Sequence, residues 1–441
     1  MRWRRLLPGL LIILTMAGCD GHSEPASSAT DAPDTATLEA ARAVVETMDD
    51  ELLRGLMESL LPAHSDLLAD PEGHRLQILL RVPRRDGDGW RFDTHGYRVD
   101  AEYFYPASTV KTAAAVAALE QLAELRTQGV RVDADTAMRI APQFEQTDPQ
   151  SEDPSNVEGG LITVGHEVRK LFLVSDNEAY NRLFELVGRD GVNASMHRLG
   201  LDSTHIVHRL SERRSPDENR QFPEFTFVDA EGKEVHVVED RVEELADTNV
   251  APGEGDADRD VGRAFLEAGE RIERSFDFRV KNRFGLDDLQ ALNVMLLRPE
   301  LAPLLDQWTG ELPRLDPEQL DAVRRAMSEL PRESSNPIYD IEESPDHWVK
   351  FLLPGLRRVV PGESLRIYNK IGRAYGFSIE NAYVVDERTL TDGVPERAFF
   401  LDVVVYTNAN QTLNDDTYEY EAADRFLEDL GEAVARRLWA D

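Results

Sequence analysis

The sequence predicts an α/β fold in which strands from both ends of the chain share one sheet and helices pack on it. Three observations carry this. "RLQILLRVP" (75–83) and "GWRFDTHGYRV" (89–99) read as paired strands joined through the turn "RRDGDG". "SLRIYNKIG", "ENAYVVDE" and "AFFLDVVVYTN" read as three apolar strands near the C-terminus. Several stretches between these two groups have the 3.6-residue periodicity of amphipathic helices.

In chain order, residues 37–62 carry helical periodicity ahead of the strand pair. "YPASTVKTAAAVAALEQL" (105–122) opens an apolar, alanine-rich helix. "TVGHEVRKLFLV" (163–174) is amphipathic, and "NEAYNRLFELVG" and "RDGVNASMHRLG" are two further helices, each stopped by glycine. Residues 220–284 change character and read as an insertion: "EFTFVDAEGKEVHVVED" is a hairpin turning at Glu231-Gly232, and "NVAPGEGDADRD" is an acidic loop. "GLDDLQALNVMLL" and "LDPEQLDAVRRAMSEL" return to helix, and "EAADRFLEDLGEAVARRLWA" closes the chain as a last helix. There is no internal repeat, so residues 37–441 read as one domain with an insertion.

The first residues read differently. "MRWRR" is a basic start, "LLPGLLIILTM" a short apolar run, and "AGC" a small-residue cleavage site ending at Cys19. The run is too short for a comfortable membrane span. The pattern resembles a bacterial lipoprotein signal over residues 1–19, with Met16 where leucine is usual and Cys19 as the lipidated residue. Residues 20–36 are rich in Ser, Ala, Pro and Asp and read as a flexible tether. The expected location is therefore the bacterial cell envelope, with the domain anchored to a membrane and facing the periplasm.

Composition narrows the chemistry. The 441 residues carry a formal net charge of −34, which disfavours nucleic acid as a partner. Cys19 is the single cysteine, so no internal disulfide and no cysteine-built metal site is possible. No cofactor or metal is expected, and a monomer is. Positive charge is nearly all arginine: lysine occurs only at 111, 170, 233, 281, 350 and 370. Lysine can lose its proton when buried and arginine effectively cannot.

Ser108 and Lys111 lie three residues apart, on one face of a helix. A serine hydroxyl needs a base to become a nucleophile, and a lysine buried near a second cation can be that base. Ser175-Asp176-Asn177 sits between two helices, where such a triplet commonly caps a helix but can also aim a hydroxyl and a carboxamide at a nucleophile. Lys370 and Gly372 lie on a C-terminal strand, where glycine lets a substrate backbone approach.

Taken in order, Ser108-x-x-Lys111, Ser175-Asp176-Asn177 and Lys370-x-Gly372 resemble the three motifs of penicillin-recognising serine enzymes, above all class A β-lactamases. The resemblance covers roughly residues 70–441 apart from the insertion. It implies an antiparallel sheet flanked by helices plus a mostly helical subdomain. It implies Ser108 as the acylated nucleophile and Lys111 as its base, or as the orienter of a basic water. Ser175 would pass the proton to the leaving nitrogen, Asn177 would hold a substrate amide, and Lys370 would supply positive potential. The backbone N–H groups of Ser108 and Arg373 would form the oxyanion hole. The implied substrate is a β-lactam, a D-Ala-D-Ala-type peptide or another amide or ester.

Two positions depart from the pattern. Ile371 stands where a hydroxyl residue usually helps hold a substrate carboxylate; the Arg373 side chain could compensate. In "RLSERRSPDEN", Pro216 and Asn219 are in register with the Glu-Pro-x-x-Asn loop of class A enzymes, but Ser215 takes the place of the deacylating glutamate. Glu212 and Glu218 are the nearby alternatives. Slow turnover of β-lactams is therefore expected. A binding or regulatory lipoprotein on the same fold is the competing reading. A Ser-His-Asp hydrolase has little support, because no Gly-x-Ser-x-Gly elbow occurs.

Overall fold

The computed structural model describes residues 34–155, 159–243 and 259–440. Cys19, the leader, nearly all of the tether and most of the acidic loop at 249–260 lie outside the described residues.

Helix α1 (Thr35–Glu46) and helix α2 (Glu51–Ala69) replace the one periodic stretch expected over 37–62. The break comes at Asp50, whose carboxylate accepts from Leu53 N at 2.8 Å and so starts a new helix. Strands β1 (Gln77–Asp86) and β2 (Gly89–Tyr97) form the expected hairpin. Helix α3 (Lys111–Thr127) follows, with α4 (Val164–Leu173), α5 (Asn177–Val187) and α6 (Arg189–Arg198) grouped beside it. Residues 113–119 of α3 are all buried, so it runs as a central helix with no solvent face there.

In the insertion, Phe225–Val228 and Glu234–Val238 form the expected hairpin, and Phe225–Val228 also pairs with Ala137–Ile140. Ala264–Glu267 pairs in parallel with Thr412–Leu413, tying the insertion to the C-terminal part of the chain. Helices α7 (Leu286–Leu297), α8 (Pro317–Ser328) and the short α9 (Leu353–Arg357) lead to β3 (Leu365–Asn369), β4 (Gly372–Ala374), β5 (Phe377–Asp386) and β6 (Ala398–Tyr406). Helix α10 (Tyr420–Trp439) ends the domain.

The main sheet runs β3-β5-β6-β1-β2, with β4 also paired to β5, and every pair is antiparallel. Pairing of β1 with β6, Ile78 opposite Val403, joins the two ends of the chain. Alternation along the strands feeds two cores. Ile78, Leu80, Leu401 and Val403 face α1, α2 and α10, whereas Leu79, Phe400 and Val404 face the helical side that holds α3. The strand expected across 364–372 is interrupted at Lys370 and Ile371. Its register against β5 does not shift across the gap, and Lys370 N still donates to Asn381 O at 3.1 Å.

Candidate active site

Ser108 lies on a 3₁₀ turn, residues 107–110, that leads directly into α3. The turn is held by Thr109, whose N–H and hydroxyl both donate to Pro106 O, at 3.0 and 2.7 Å. Ala107, just before the serine, has φ +47°, a left-handed conformation costly for a residue with a Cβ. Ser108 is partly exposed among buried neighbours, and its side chain makes no hydrogen bond within the described residues. Strand β4 passes close beside the turn. A Cβ on Gly372 would sit 2.5 Å from Pro106 O and 3.1 Å from Thr109 Cγ2, so only glycine allows this approach. The peptide of Arg373 is thereby brought next to the serine turn.

Lys111 is fully buried. Its Nζ donates to Ser175 O at 2.6 Å, to Asn177 Oδ1 at 2.8 Å and to Ser175 Oγ at 3.2 Å. Lys370, also buried, donates from Nζ to the same Ser175 Oγ at 2.8 Å and to Ile371 O at 3.0 Å. The first and third motifs therefore meet on one hydroxyl of the second. Burial pushes the Lys111 ammonium down to about 7, against the opposing Asp176 carboxylate. Burial, and next the Lys111 cation, hold Lys370 well below the usual lysine range, with Glu380 opposing.

The Ser175 hydroxyl is aimed by its backbone, with φ +55°, and by its neighbours. Asp176 caps α5 by accepting from Ala179 N at 2.8 Å. Lys170 Nζ lies 3.5 Å from Asp176 Oδ2 and 3.1 Å from the buried Asp153, which also pairs with Arg182 at 2.7 Å. Behind Lys370, the Lys350 Nζ donates to Asn369 Oδ1 at 2.7 Å, and Asn369 Nδ2 donates to Glu380 Oε1 at 2.5 Å. Burial raises the Glu380 carboxyl and lowers the Lys350 ammonium. These supports were not singled out from the sequence, although lysine scarcity pointed at two of them. Four of the six lysines, at 111, 170, 350 and 370, are buried around this one site.

The Arg373 side chain does not take the compensating role expected of it. Its guanidinium pairs with Asp424 on α10 through both terminal nitrogens. It also lies over the Phe351 ring at 4.2 Å and the Tyr420 ring at 4.8 Å. Ile371 is buried with Phe351 and Leu352 in the core on the α10 side of the sheet.

The deacylation candidates are occupied elsewhere. Ser215 N donates to Glu218 Oε2 at 2.7 Å, and Glu218 N donates to Ser215 Oγ at 3.2 Å, so the two close a surface turn on each other. The Ser215 N–H holds the Glu218 carboxylate below its ordinary range. Glu212 is exposed and pairs with Arg214 at 3.2 Å. Neither glutamate hydrogen-bonds Ser108 or Lys111. The residue of this loop that reaches the motifs is Ser211, whose Oγ accepts from Asn177 Nδ2 at 2.7 Å. Nothing in the sequence marked Ser211, because its part depends on a left-handed backbone, φ +56°. Asn219 serves the loop itself: it is buried, and its Oδ1 accepts from Arg209 N at 3.3 Å.

Residues 93–234 match the family model described as the β-lactamase enzyme family. Over those residues the chain is similar to the β-lactamase enzyme family. No curated protein matches the chain. A β-lactamase from Burkholderia vietnamiensis is similar in structure at 15% identity and TM-score 0.46, covering 89% of this chain and 98% of its own. A class A β-lactamase from Mycobacterium abscessus is similar at 15% identity and TM-score 0.44, covering 89% of this chain and 100% of its own. Among the described residues, no cluster of His, Cys, Asp or Glu could hold a metal ion, and no helix is long and apolar enough to cross a membrane.

Proposed function

We propose that the protein is an acyl-serine hydrolase that forms a covalent intermediate at Ser108 with an amide or ester. The observation that carries this reading is the meeting of Lys111 and Lys370 on Ser175 Oγ, beside a serine turn pressed against Gly372. Neutral Lys111 Nζ takes the Ser108 proton as Oγ bonds to the carbonyl carbon. The oxyanion is met by the N–H groups of Ser108 and Arg373. The carbonyl bond to nitrogen or oxygen then breaks, and Ser175 Oγ passes a proton to the leaving atom, drawing in turn on Lys111. Water later cleaves the acyl-Ser108 ester and restores the hydroxyl.

Deacylation of a β-lactam adduct is slow in this reading, because Ser215 cannot accept a proton usefully near neutral pH. That same feature favours the second reading, a binding or regulatory lipoprotein whose acylation is not turned over. In either case Cys19 carries a lipid, and the domain acts as a monomer on a bacterial membrane facing the periplasm. Cys19→Ser is then expected to leave the chain in the soluble fraction; membrane fractionation equal to the parent's rules the anchor out.

The test of the enzyme reading is intact-mass analysis after exposure to a panel of β-lactams, D-Ala-D-Ala peptides and activated esters. A single adduct, absent from Ser108→Ala, is expected from at least one of them. No adduct from any class would refute the assignment.

A further inference from the structure

Strand β4, which passes beside the Ser108 turn, is charged in sequence, and its charges are engaged in the structure. Residues 370–373 read Lys-Ile-Gly-Arg. The Arg373 guanidinium is paired with Asp424 and lies over the rings of Phe351 and Tyr420. Tyr420 is itself pinned, its hydroxyl accepting from Gly376 N at 3.0 Å. Ile371 offers no polar atom beyond its backbone and is buried. Lys370 commits its Nζ to Ser175 Oγ and Ile371 O.

What flanks the strand is aromatic. Tyr105, three residues before the serine, meets Tyr375 edge-on at 5.2 Å. Phe276 and Phe278 of the insertion extend this wall, stacking on Tyr375 at 5.7 Å and meeting it edge-on at 5.3 Å. Lys281 has its Nζ over the Phe276 ring at 5.7 Å.

Resting on the acyl-serine reading, we propose that the substrate is uncharged where it lies against residues 370–375. It is an amide or ester without a carboxylate at that position, with an apolar or aromatic group against the partly exposed Tyr375 and Phe276. A carboxylate placed there finds the Arg373 guanidinium already paired with Asp424 and loses solvation without a matching partner. The insertion contributes to this selectivity, since the partly exposed Phe276 lies beside Tyr375, with Phe278 buried beneath it.

The test is a matched pair of linear esters that differ in one charge. Phenylacetylglycine esterified to 3-hydroxybenzamide is compared with the same acyl group on 3-hydroxybenzoate, using the full chain. The benzamide ester is expected to have the higher kcat/KM. Asp424→Asn, which releases Arg373, is expected to raise kcat/KM for the benzoate ester about tenfold and leave the benzamide ester within about twofold. A parent enzyme that prefers the benzoate ester overturns the proposal, as does an Asp424→Asn change that affects both esters equally. The comparison within the parent enzyme stands even if the variant does not fold. If neither ester is cleaved and no member of the wider panel of β-lactams, D-Ala-D-Ala peptides and activated esters leaves an adduct on Ser108 by intact mass, the acyl-serine reading itself fails, a result distinct from a wrong charge preference.

Discussion

Lys370 Nζ stands 2.8 Å from Ser175 Oγ, and that contact makes the hydroxyl a shared station between two buried amines. Lys111 approaches the same oxygen from the helix side at 3.2 Å. Two full positive charges this close in a dry site repel strongly. Burial and this repulsion both favour fewer than two positive charges on the pair, and an uncharged amine carries a lone pair.

Ser175→Ala removes the station and leaves both amines in place. Acylation of Ser108 by an amide is expected to fall about 10² to 10⁴-fold, the range for a lost proton-transfer group. An activated aryl ester, whose leaving group needs no proton, should lose much less. Stopped-flow acylation rates for the two substrates check this; equal losses would assign Ser175 to positioning alone.

Gly372→Ala places a methyl 2.5 Å from Pro106 O, so β4 and the serine turn must part. A displacement of this size is expected to cost about 10²-fold in acylation rate. The measurement is acylation rate beside thermal unfolding. An alanine variant with parental rate would show that β4 does not form the oxyanion site.

The Lys350–Asn369–Glu380 chain is buried on the side of the sheet away from solvent. Lys350→Met strands the Glu380 carboxyl and is expected to cost about 3–5 kcal/mol in chemical denaturation. Adding Glu380→Gln should recover part of that loss. A double variant no more stable than Lys350→Met would mean that the two groups are not coupled through Asn369.

A penicillin adduct, if formed, is expected to persist on Ser108. Glu212 and Glu218 are held by Arg214 and by the Ser215 turn, so Glu212→Gln and Glu218→Gln should each leave deacylation nearly unchanged. Time-resolved intact mass follows the decay. A sharp slowing in Glu212→Gln would identify that carboxylate as the deacylation base.

How much of this was legible follows from the kind of interaction involved. The two-ended sheet could be read because apolar alternation is local, and Ile78 and Val403 each advertise a buried strand. The split of α1 from α2 was missed because one cap, Asp50, outweighed an unbroken periodicity. Ser108, Lys111, Ser175 and Lys370 could be picked out by spacing and by the scarcity of lysine. Their meeting on one hydroxyl could not, since residues 111, 175 and 370 converge only through the fold. The pairing of Arg373 with Asp424 could not be read, because Asp424 lies on a helix 51 residues away and carries no motif. Ser211 was invisible for a similar reason: its role is set by a backbone angle.

The most direct test of the account is the pH dependence of Ser108 acylation, measured before steady state in the parent and in Lys111→Arg. Only the neutral amine accepts the serine proton, so the parental rate should rise with pH through the lowered value of about 7 and then level. Lys111→Arg keeps the charge but cannot lose its proton. It should be slower by about 10³-fold or more and lack that rise. A variant that keeps both the rate and the rise would contradict the assignment of Lys111 as the base.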